Sequence, residues 1–493
     1  MNMMDYDLVS IQEARILAEN AAGAQRQMAE LPQEALDRIV DGTAAEIRHH
    51  VQELAMLSAE ETDIGNWQDK AIKNRFACER VPQALRGMKC VGIISRDPQA
   101  RTMEVGVPRG VVIALCPATS PVSTTIYKTL IAIKSGNSII FSPHPRAKRA
   151  MTRALDYLIS AAENSGLPQG AVSYLRNVSL PGTRELMYHD AAALILMTGV
   201  PSLLPLAEKS GKPVLYGGTG SGPAFIERTA NLAQAARDIV RSKTFDCGAS
   251  AAEQALVVDA PVAEAVKREL REAGAYFLEA QERDRLESFL AQRGPALCGD
   301  MTGKPAAYLA KAADLSIPEG TKLLIAEHVY VSETAYGGGK PLCPVLDFYV
   351  EQDWRHACEK CLELLLGEQR GHTLTIHSQD PLVIEQFALK KPVARVLVNT
   401  PAAFGGIGMT TNLFPAMTLG GGSAGMGATS DNVSPFHLIY RRKVGAGVRS
   451  VEEWLSQSGE DGPPEAGLER FRDRLKEFFL DVQAENQRHS LKK

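Results

Sequence analysis

Residues 116–150 read CPATSPVSTTIYKTLIAIKSGNSIIFSPHPRAKRA, and they contain the alternation that decides the fold. The run GVVIALC at 110–116 and the run NSIIFS at 137–142 are both apolar and rich in β-branched residues. Residues 122–135 between them have the spacing of an amphipathic helix. Two apolar strands joined by a helix predict a parallel sheet whose connecting helix covers one face.

The same alternation continues on both sides of a Gly-rich crossing, LYGGTGSGP at 215–223. Before the crossing, AALILM at 192–197 predicts another strand, and residues 147–164 and 230–243 predict helices. After it, the predicted strands are 255–258, 321–326, 344–350, 373–377 and 395–399. We therefore expect an α/β protein with two such units. A ligand cleft would lie between them, near the crossing and the loop KTFDCGASAAEQ at 243–254.

Several segments fall outside these two units. The first hundred residues have mostly helical spacing, and polar strand-like pieces near 90–107 and 436–446 predict an edge or an oligomer arm. Residues 458–466, SGEDGPPEA, form a linker by composition. The amphipathic helix predicted over 467–490 either packs back on the body or serves as a handle for a partner. Its apolar residues recur at intervals of three and four: Leu468, Phe471, Leu475, Phe478, Phe479 and Val482.

Composition narrows the classes of protein and partner. Lys plus Arg total 54 against 58 for Asp plus Glu, so a net charge of -4 predicts no nucleic-acid partner and no attraction to anionic lipid. No run approaches the ~20 apolar residues that span a bilayer, and the acidic N-terminus does not resemble a secretory signal, so we expect a cytoplasmic protein. Cys358 and Cys361 have no second pair, which predicts reduced thiols and no metal site.

The quoted strings resemble the CoA-acylating aldehyde dehydrogenases, including the N-terminal half of the bifunctional aldehyde-alcohol dehydrogenases and the acylating enzymes associated with microcompartments. The most specific string is FSPHPRAK at 141–148. The other matching strings are AIKNRFACE (71–79), LMTGVPSLLPLAEKSGKP (196–213), SKTFD (242–246), GHT (371–373), VLVNTPAAFGGIG (396–408) and LGGGSAGMGATSDNVSPFHLI (419–439). Together they cover roughly residues 10–445.

The resemblance implies an aldehyde dehydrogenase fold. Residues 1–240 would form a Rossmann-like nucleotide domain with a β arm at about 90–107, and residues 241–435 an α/β catalytic domain. Residues 436–446 would be an oligomerisation strand of a homo-oligomer, at least a dimer. The implied reaction is reversible: a short-chain aldehyde, CoA and either NAD or NADP give acyl-CoA and NAD(P)H through a cysteine thioester.

The resemblance also implies which residues hold the nucleotide. Ser142, His144 and Arg146 match the segment that meets the adenosine ribose and phosphates, for which a guanidinium is well suited. Thr198 and Gly199 match the second nucleotide contact, where close approach of the backbone to the pyrophosphate favours glycine. The alternative is structural, since Pro-His-Pro-Arg can simply form a rigid turn between a strand and a helix.

Two positions bear on the fate of the thioester. Hydrolytic relatives place a water-activating glutamate in the Gly-rich crossing, where this chain has Gly217, and a missing base favours acyl transfer over hydrolysis. His372 matches the histidine thought to act as base in the aldehyde-alcohol dehydrogenases, although a histidine at the start of a strand is often structural.

The nucleophile loop departs from the family pattern. Relatives read approximately F-D-x-G-x-x-C-x-x-E, and this chain is one residue short between Phe245 and Glu253. The position of the thiol is Ser250 when counted back from the glutamate and Ala251 when counted forward from the phenylalanine. Cys247, the only thiol in the loop, is the candidate nucleophile, although it lies on the order of 10 Å away along an extended chain.

Two further departures concern polar groups around the reacting carbon. Ser120 stands where relatives commonly have an asparagine whose amide serves the oxyanion, and a hydroxyl replaces it in part. Lys340 stands where relatives often have a glutamate that holds the nicotinamide ribose.

These observations leave three functions open. The first is a CoA-acylating, NAD(P)-dependent aldehyde dehydrogenase with Cys247 as nucleophile and His372 as base. It would be located inside a bacterial microcompartment, with the C-terminal helix binding a shell protein. The second is a catalytically impaired relative that binds nucleotide or assembles with a partner there. The third and weakest is a CoA-independent dehydrogenase or an esterase acting through Ser250.

Overall fold

The computed structural model describes residues 5–218, 220, 222–291, 299–331, 342–368, 372–425, 427–457, 469–478 and 480. The helices there are α1 (Tyr6–Met28), α2 (Gln33–Ile47), α3 (Val51–Thr62), α4 (Trp67–Leu85), α5 (Pro121–Lys134), α6 (Lys148–Asn164), α7 (Leu180–Tyr188), α8 (Leu204–Glu208), α9 (Leu232–Thr244), α10 (Ala263–Glu272), α11 (Ala280–Ala291), α12 (Ala306–Ala312), α13 (Trp354–Glu368), α14 (Pro381–Lys390), α15 (Ala402–Gly405) and α16 (Val451–Gln457). The strands are β1 (Gly92–Asp97), β2 (Thr102–Pro108), β3 (Val111–Leu115), β4 (Ile139–Ser142), β5 (Val172–Tyr174), β6 (Ala192–Thr198), β7 (Val214–Gly217), β8 (Pro223–Ile226), β9 (Ala255–Asp259), β10 (Ala275–Phe277), β11 (Leu323–Glu327), β12 (Val345–Glu351), β13 (Thr373–His377), β14 (Arg395–Val398) and β15 (Ile439–Gly445).

Two parallel sheets organise the larger part of the chain. The first has the order β5-β4-β3-β6-β7, and all its neighbouring strands are parallel. Its order reverses between β3 and β6, as in a doubly wound nucleotide-binding sheet. The second has the order β10-β11-β12-β9-β8-β13-β14 and is also parallel throughout. The expected α/β fold class is confirmed, and the predicted strands and helices of both units are present.

The strands are hydrophobic on both faces because helices cover both sides of each sheet. In β3, Val112 and Ala114 face one core cluster, whereas Val111, Ile113 and Leu115 face another. Helix α5 connects β3 to β4 and is buried along its whole length. Near the middle of this helix the fully buried Lys128 donates to the carbonyl oxygens of Leu115 at 2.5 Å and Leu196 at 2.9 Å. The same side chain therefore bonds the backbone of both strands between which the order reverses.

The remaining segments form smaller structures. Strands β1, β2 and β15 make a three-stranded sheet, as the polar strand-like runs predicted. By compactness the chain divides into residues 1–94 with 105–442, and residues 95–104 with 443–493. The predicted division between nucleotide and catalytic domains at residue 240 stays a prediction. None of the described helices is both long enough and apolar enough to cross a bilayer.

Two sequence predictions fall on undescribed residues. The linker at 458–466 and the position of Lys340 lie outside the described part of the chain. Of the predicted tail helix, residues 469–478 and 480 are helical, and the apolar side chains of Phe471, Phe478 and Leu480 are exposed there.

Candidate active site

A cavity opens at the carboxyl ends of the strands where the order of the first sheet reverses. The loop after β3 brings Thr119 and Ser120 to this point, and the end of β6 brings Thr198. Ligands of open α/β sheets bind in such a crevice because the connections on its two sides run in opposite directions. The wall is formed by Ile64, Lys73, Pro117, Thr119, Ser120, Thr124, Thr198, Gly218, Phe245, Asp246, Gly248, Ala249, Ser250, Ala251, His372, Ala403, Ile407, Met417 and Leu419.

The loop after α9 makes a tight left-handed turn. Asp246, Cys247 and Gly248 all have positive φ angles, at 49°, 54° and 121°. Such angles cost roughly 1–3 kcal/mol for a residue with a side chain, so surrounding contacts must hold the turn in place. The carboxylate of Asp246 supplies several of them, and Glu253 anchors the far end of the loop by accepting a hydrogen bond from the Ala402 N–H at 2.8 Å.

The candidate nucleophile does not line the cavity. Cys247 is half-buried and is not among the residues that line the wall, whereas Ser250 and Ala251 are. Burial, together with the carboxylates of Asp246 and Asp69, raises the pKa of Cys247 to about 11. The thiol is therefore protonated near neutral pH, and the serine and alanine occupy the part of the wall where the family pattern expects a thiol.

His372 lies in the cavity wall and is buried. Its Nδ1 lies 2.6 Å from the Thr373 hydroxyl, and its Nε2 is directed at the crossing, where a Cβ built on Gly220 would lie 1.9 Å from that nitrogen. Burial, with a smaller effect from the nearby Arg395, lowers the pKa of His372 to about 3. The imidazole is therefore neutral at physiological pH, and glycine at position 220 is what leaves room for it.

Gly217 leaves no space for a catalytic carboxylate. A Cβ at this position would lie 2.7 Å from Thr418 Cγ2 and 3.0 Å from the backbone nitrogen of Leu419. Because one contact is with backbone, the neighbouring chain would have to move before any side chain fitted. The position that matches the water-activating glutamate is thus closed by packing in this fold.

Two buried lysines share one carboxylate beside the cavity. Lys70 Nζ lies 2.9 Å and Lys73 Nζ 2.5 Å from the same oxygen of Asp246. Lys73 also lies 2.8 Å from Ser120 Oγ. No functional role for Lys70, Lys73 or Asp246 was predicted from the sequence, where Lys73 and Asp246 stand only inside the matching strings AIKNRFACE and SKTFD. Two lysines three positions apart on a helix were the available signal, but their common partner lies more than 170 residues away and is brought to them by the tertiary fold.

The three predicted adenosine-side residues differ in accessibility. Ser142 is buried at the end of β4, with its hydroxyl 2.8 Å from that of Thr183. His144 is partly exposed and accepts a hydrogen bond from the Arg146 N–H at 3.1 Å. Arg146 is exposed and donates to the Thr62 carbonyl oxygen at 3.1 Å. Of the three, Arg146 presents its charge to solvent.

The predicted pyrophosphate-side residues border the crevice. The Thr198 hydroxyl lies 2.6 Å from that of Thr418 and forms part of the cavity wall. The N–H of Gly199 donates to the Gly217 carbonyl oxygen at 2.8 Å, and a Cβ at Gly199 would lie 3.0 Å from Pro117 Cβ. Where the strand order of a sheet reverses, backbone without side chains lets the diphosphate of a dinucleotide approach closely. No cluster of three metal-ligating side chains occurs among the described residues.

Comparison with known proteins agrees with this geometry. The model of the aldehyde dehydrogenase family matches residues 2–280. The bifunctional aldehyde-alcohol dehydrogenase AdhE of Escherichia coli K12 is 37% identical over 443 residues, which are 89% of this chain and 50% of that protein. The chain thus spans about half the length of this relative.

Two solved structures cover nearly the whole chain. A probable aldehyde dehydrogenase from Listeria monocytogenes EGD-e is 44% identical with a TM-score of 0.89, covering 92% of this chain and 100% of its own. An acetylating aldehyde dehydrogenase from Geobacillus thermoglucosidasius is 40% identical with a TM-score of 0.88, covering 91% and 99%. With the two-sheet fold, the cavity at the switch point and these matches, the chain belongs to the aldehyde dehydrogenase family.

Proposed function

We propose that the protein is a CoA-acylating oxidoreductase that converts a short-chain aldehyde, CoA and NAD(P) to acyl-CoA and NAD(P)H. The observation that carries the proposal is the closed position at Gly217, since an enzyme without a water-activating carboxylate there lets a thioester persist until CoA arrives. The acetylating relative from Geobacillus supports the same reaction class. The apolar part of the cavity wall, formed by Ile64, Phe245, Ile407, Met417 and Leu419, suits the alkyl group of a small aldehyde.

The nucleotide would lie along the carboxyl ends of the first sheet. Thr198 and Gly199 border the place for its diphosphate, and Ser142, His144 and Arg146 lie at the end of β4, toward the adenosine side. A bound nicotinamide supplies the hydride acceptor. NAD is the first choice, and the exposed guanidinium of Arg146 also accommodates the additional phosphate of NADP.

Covalent catalysis in this proposal uses Cys247. Its thiol must lose a proton and reach the cavity, which it does not line in this structure. His372 is neutral and lines the cavity, so it can accept a proton from an incoming thiol, although its low pKa makes it a weak base. Ser120 takes the place of the oxyanion-binding amide.

A specific observation favours the second candidate function, a nucleotide- or CoA-binding assembly partner without turnover. Cys247 lies off the cavity wall, and its raised pKa keeps it protonated. A protein retaining the nucleotide crevice and lacking an activated thiol binds its ligands without completing the reaction.

NADH formation with acetaldehyde or propionaldehyde plus CoA separates the two candidates. The wild type is run beside Cys247→Ala and Ser250→Ala. Activity that is lost only in Cys247→Ala supports the enzyme with a displaced thiol. No activity in the wild type, with NAD or CoA binding still detected by calorimetry, supports the binding partner instead.

The proposal extends to assembly. Strands β1, β2 and β15 would bridge subunits of a homo-oligomer, at least a dimer. The exposed apolar side chains of the C-terminal helix, such as Phe471 and Phe478, would bind a microcompartment shell protein. Size-exclusion chromatography with light scattering tests the first of these statements, and co-purification with shell protein tests the second.

A further inference from the structure

The lysine–aspartate cluster beside the cavity places three charged groups in the protein interior. Lys70, Lys73 and Asp246 are exposed by 2%, 4% and 3%, so solvent screens none of them effectively. A further carboxylate, that of Asp69, accepts a hydrogen bond from the Asp246 backbone N–H at 2.8 Å and does not contact either lysine. Burying charged groups is costly unless each is hydrogen-bonded, so the partners of each lysine show what the cluster holds in place.

The hydrogen bonds of the Lys73 ammonium fix the role of Ser120 Oγ as an acceptor. An ammonium has three N–H donors and no acceptor. Lys73 Nζ lies 2.5 Å from Asp246 Oδ2, 3.0 Å from the Thr119 carbonyl oxygen and 2.8 Å from Ser120 Oγ. Three donors thus meet three acceptors, and Ser120 must accept from Lys73.

This assignment leaves the hydroxyl hydrogen of Ser120 unused. Among the described residues this hydroxyl donates no hydrogen bond, and Ser120 does not cap α5 although it immediately precedes that helix. Both Ser120 and Lys73 form part of the cavity wall. The hydroxyl is therefore a donor that faces the cavity, and its oxygen is fixed from behind by a charged group.

We infer that Lys73 is a positioning residue for the reaction, one that orients Ser120 to donate to the carbonyl oxygen of the substrate and adds positive charge behind that donor. The inference rests on the proposed function, because it concerns the oxygen on which negative charge develops when a nucleophile adds to the carbonyl carbon. A preorganised donor supported by a buried cation and a helix N-terminus stabilises that charge more than it stabilises the neutral carbonyl. Lys73 would thus act on the rate of addition through Ser120.

The two lysines provide a matched pair of variants. Lys73→Met and Lys70→Met each remove one ammonium from the same carboxylate and leave a neutral ion pair, so both should fold. Only Lys73 contacts Ser120, and only Lys73 reaches the cavity wall. A difference between the variants therefore measures the contact with Ser120 and not the change in net charge.

The kinetic test is NADH formation by the wild type, the two lysine variants, Ser120→Ala and the double variant Ser120→Ala with Lys73→Met. We expect Lys73→Met to lower kcat by about a hundredfold, as loss of one preorganised donor does, with KM for NAD little changed. Lys70→Met should have a much smaller effect. Lys73→Met should add little to Ser120→Ala, because residues that act as one unit are not additive. Equal losses in the two lysine variants, or full additivity with Ser120→Ala, would overturn the inference.

A second measurement needs no turnover. Acetate, whose charged oxygens resemble the developing oxyanion, is titrated into each protein and followed by broadening of its NMR signal. We expect acetate to bind the wild type at least about tenfold more tightly than Lys73→Met, with Lys70→Met closer to the wild type. A wild type that binds acetate in this pattern and forms no NADH contradicts only the proposed function. Equal affinity of the wild type and Lys73→Met, or no acetate binding at all, contradicts the inference about Lys73.

Discussion

The chemistry of this chain depends first on which residue of the loop at 245–253 lines the cavity. Cys247 has a left-handed backbone conformation and is not among the lining residues, and burial together with neighbouring carboxylates raises its pKa to about 11. Ser250, on the wall, is in the better place but is a much weaker nucleophile, because an alcohol is barely ionised near neutral pH. Position and reactivity are thus divided between two residues of the same loop.

Ser250→Cys should place a reactive thiol at the position that lines the cavity. The substitution exchanges only oxygen for sulfur, so the loop need not change, and the new thiol lies on the cavity wall. We expect CoA-dependent NADH formation to rise more than about tenfold over the wild type, a barrier lower by about 1.4 kcal/mol. Initial rates and the mass of the trapped acyl-enzyme measure this. Ser250→Ala is the control, and an unchanged rate in Ser250→Cys would show that the nucleophile belongs elsewhere.

Buried histidines should make folding stability depend on pH. Burial lowers the pKa of His372 to about 3 and that of His377 to about 4, whereas an unfolded chain protonates histidine near 6.5. Between these values the unfolded state binds protons that the native state does not. The free energy of unfolding therefore falls as pH falls from about 6.5 to 4, by at most about 1.4 kcal/mol per pH unit for each histidine.

Urea denaturation at several pH values measures this dependence. His372→Gln should flatten the curve between pH 6.5 and 4, and the exposed His49→Gln should leave it as in the wild type. A slope that His372→Gln does not alter would mean that the imidazole is protonated in the native state.

At the scale of elements, the Gly-rich crossing between β7 and β8 shapes the site because two of its glycines have no room for a side chain. At Gly217 the packed chain excludes a side chain, and at Gly220 the imidazole of His372 occupies the space of one. At these two described positions the crossing is therefore closely packed. Glycine is required there by contacts with His372, Thr418 and Leu419, which lie far away in the sequence and leave no local pattern.

Gly220→Ala should displace His372. The added methyl group would overlap the imidazole ring, so we expect a loss of stability of about 1–3 kcal/mol, as for other overpacked sites, and a reduced rate of NADH formation. Differential scanning calorimetry and initial rates measure the two effects.

Gly23→Ala is the matched control for that substitution. It lies inside α1, where the nearest atom to a new Cβ is 3.9 Å away, and should raise stability by roughly 0.5–1 kcal/mol. If Gly220→Ala lowered neither the stability nor the rate, as expected for Gly23→Ala, the close packing at Gly220 would be contradicted.

At the scale of the whole molecule, the C-terminal segment differs from the rest. The two parallel sheets bury their apolar residues on both faces, whereas Phe471, Phe478 and Leu480 are exposed. Exposed apolar side chains that recur on one helix are typical of a binding surface and not of a contribution to the core.

Ending the chain at Gly462 should therefore leave the catalytic unit intact. We expect the Tm to shift by less than about 2 °C and the NAD affinity to stay the same, because the removed side chains that are described are exposed. Association with shell protein should be lost. A large decrease in Tm would show instead that the helix packs on the body, which is the alternative that its amphipathic pattern left open.

The sequence alone was sufficient for the α/β fold class and for the strands and helices of both units. Apolar runs such as 110–116 and 137–142 became buried strands, and the helices between them followed, because burial on both faces imposes a continuous local pattern. The missing residue between Phe245 and Glu253 was likewise visible from spacing. The tertiary structure alone decided that Ser250 and not Cys247 lines the cavity, that Gly217 is closed and that Lys73 holds Ser120. Each of these depends on contacts between residues far apart in sequence, and pairings of that kind leave no periodicity along the chain.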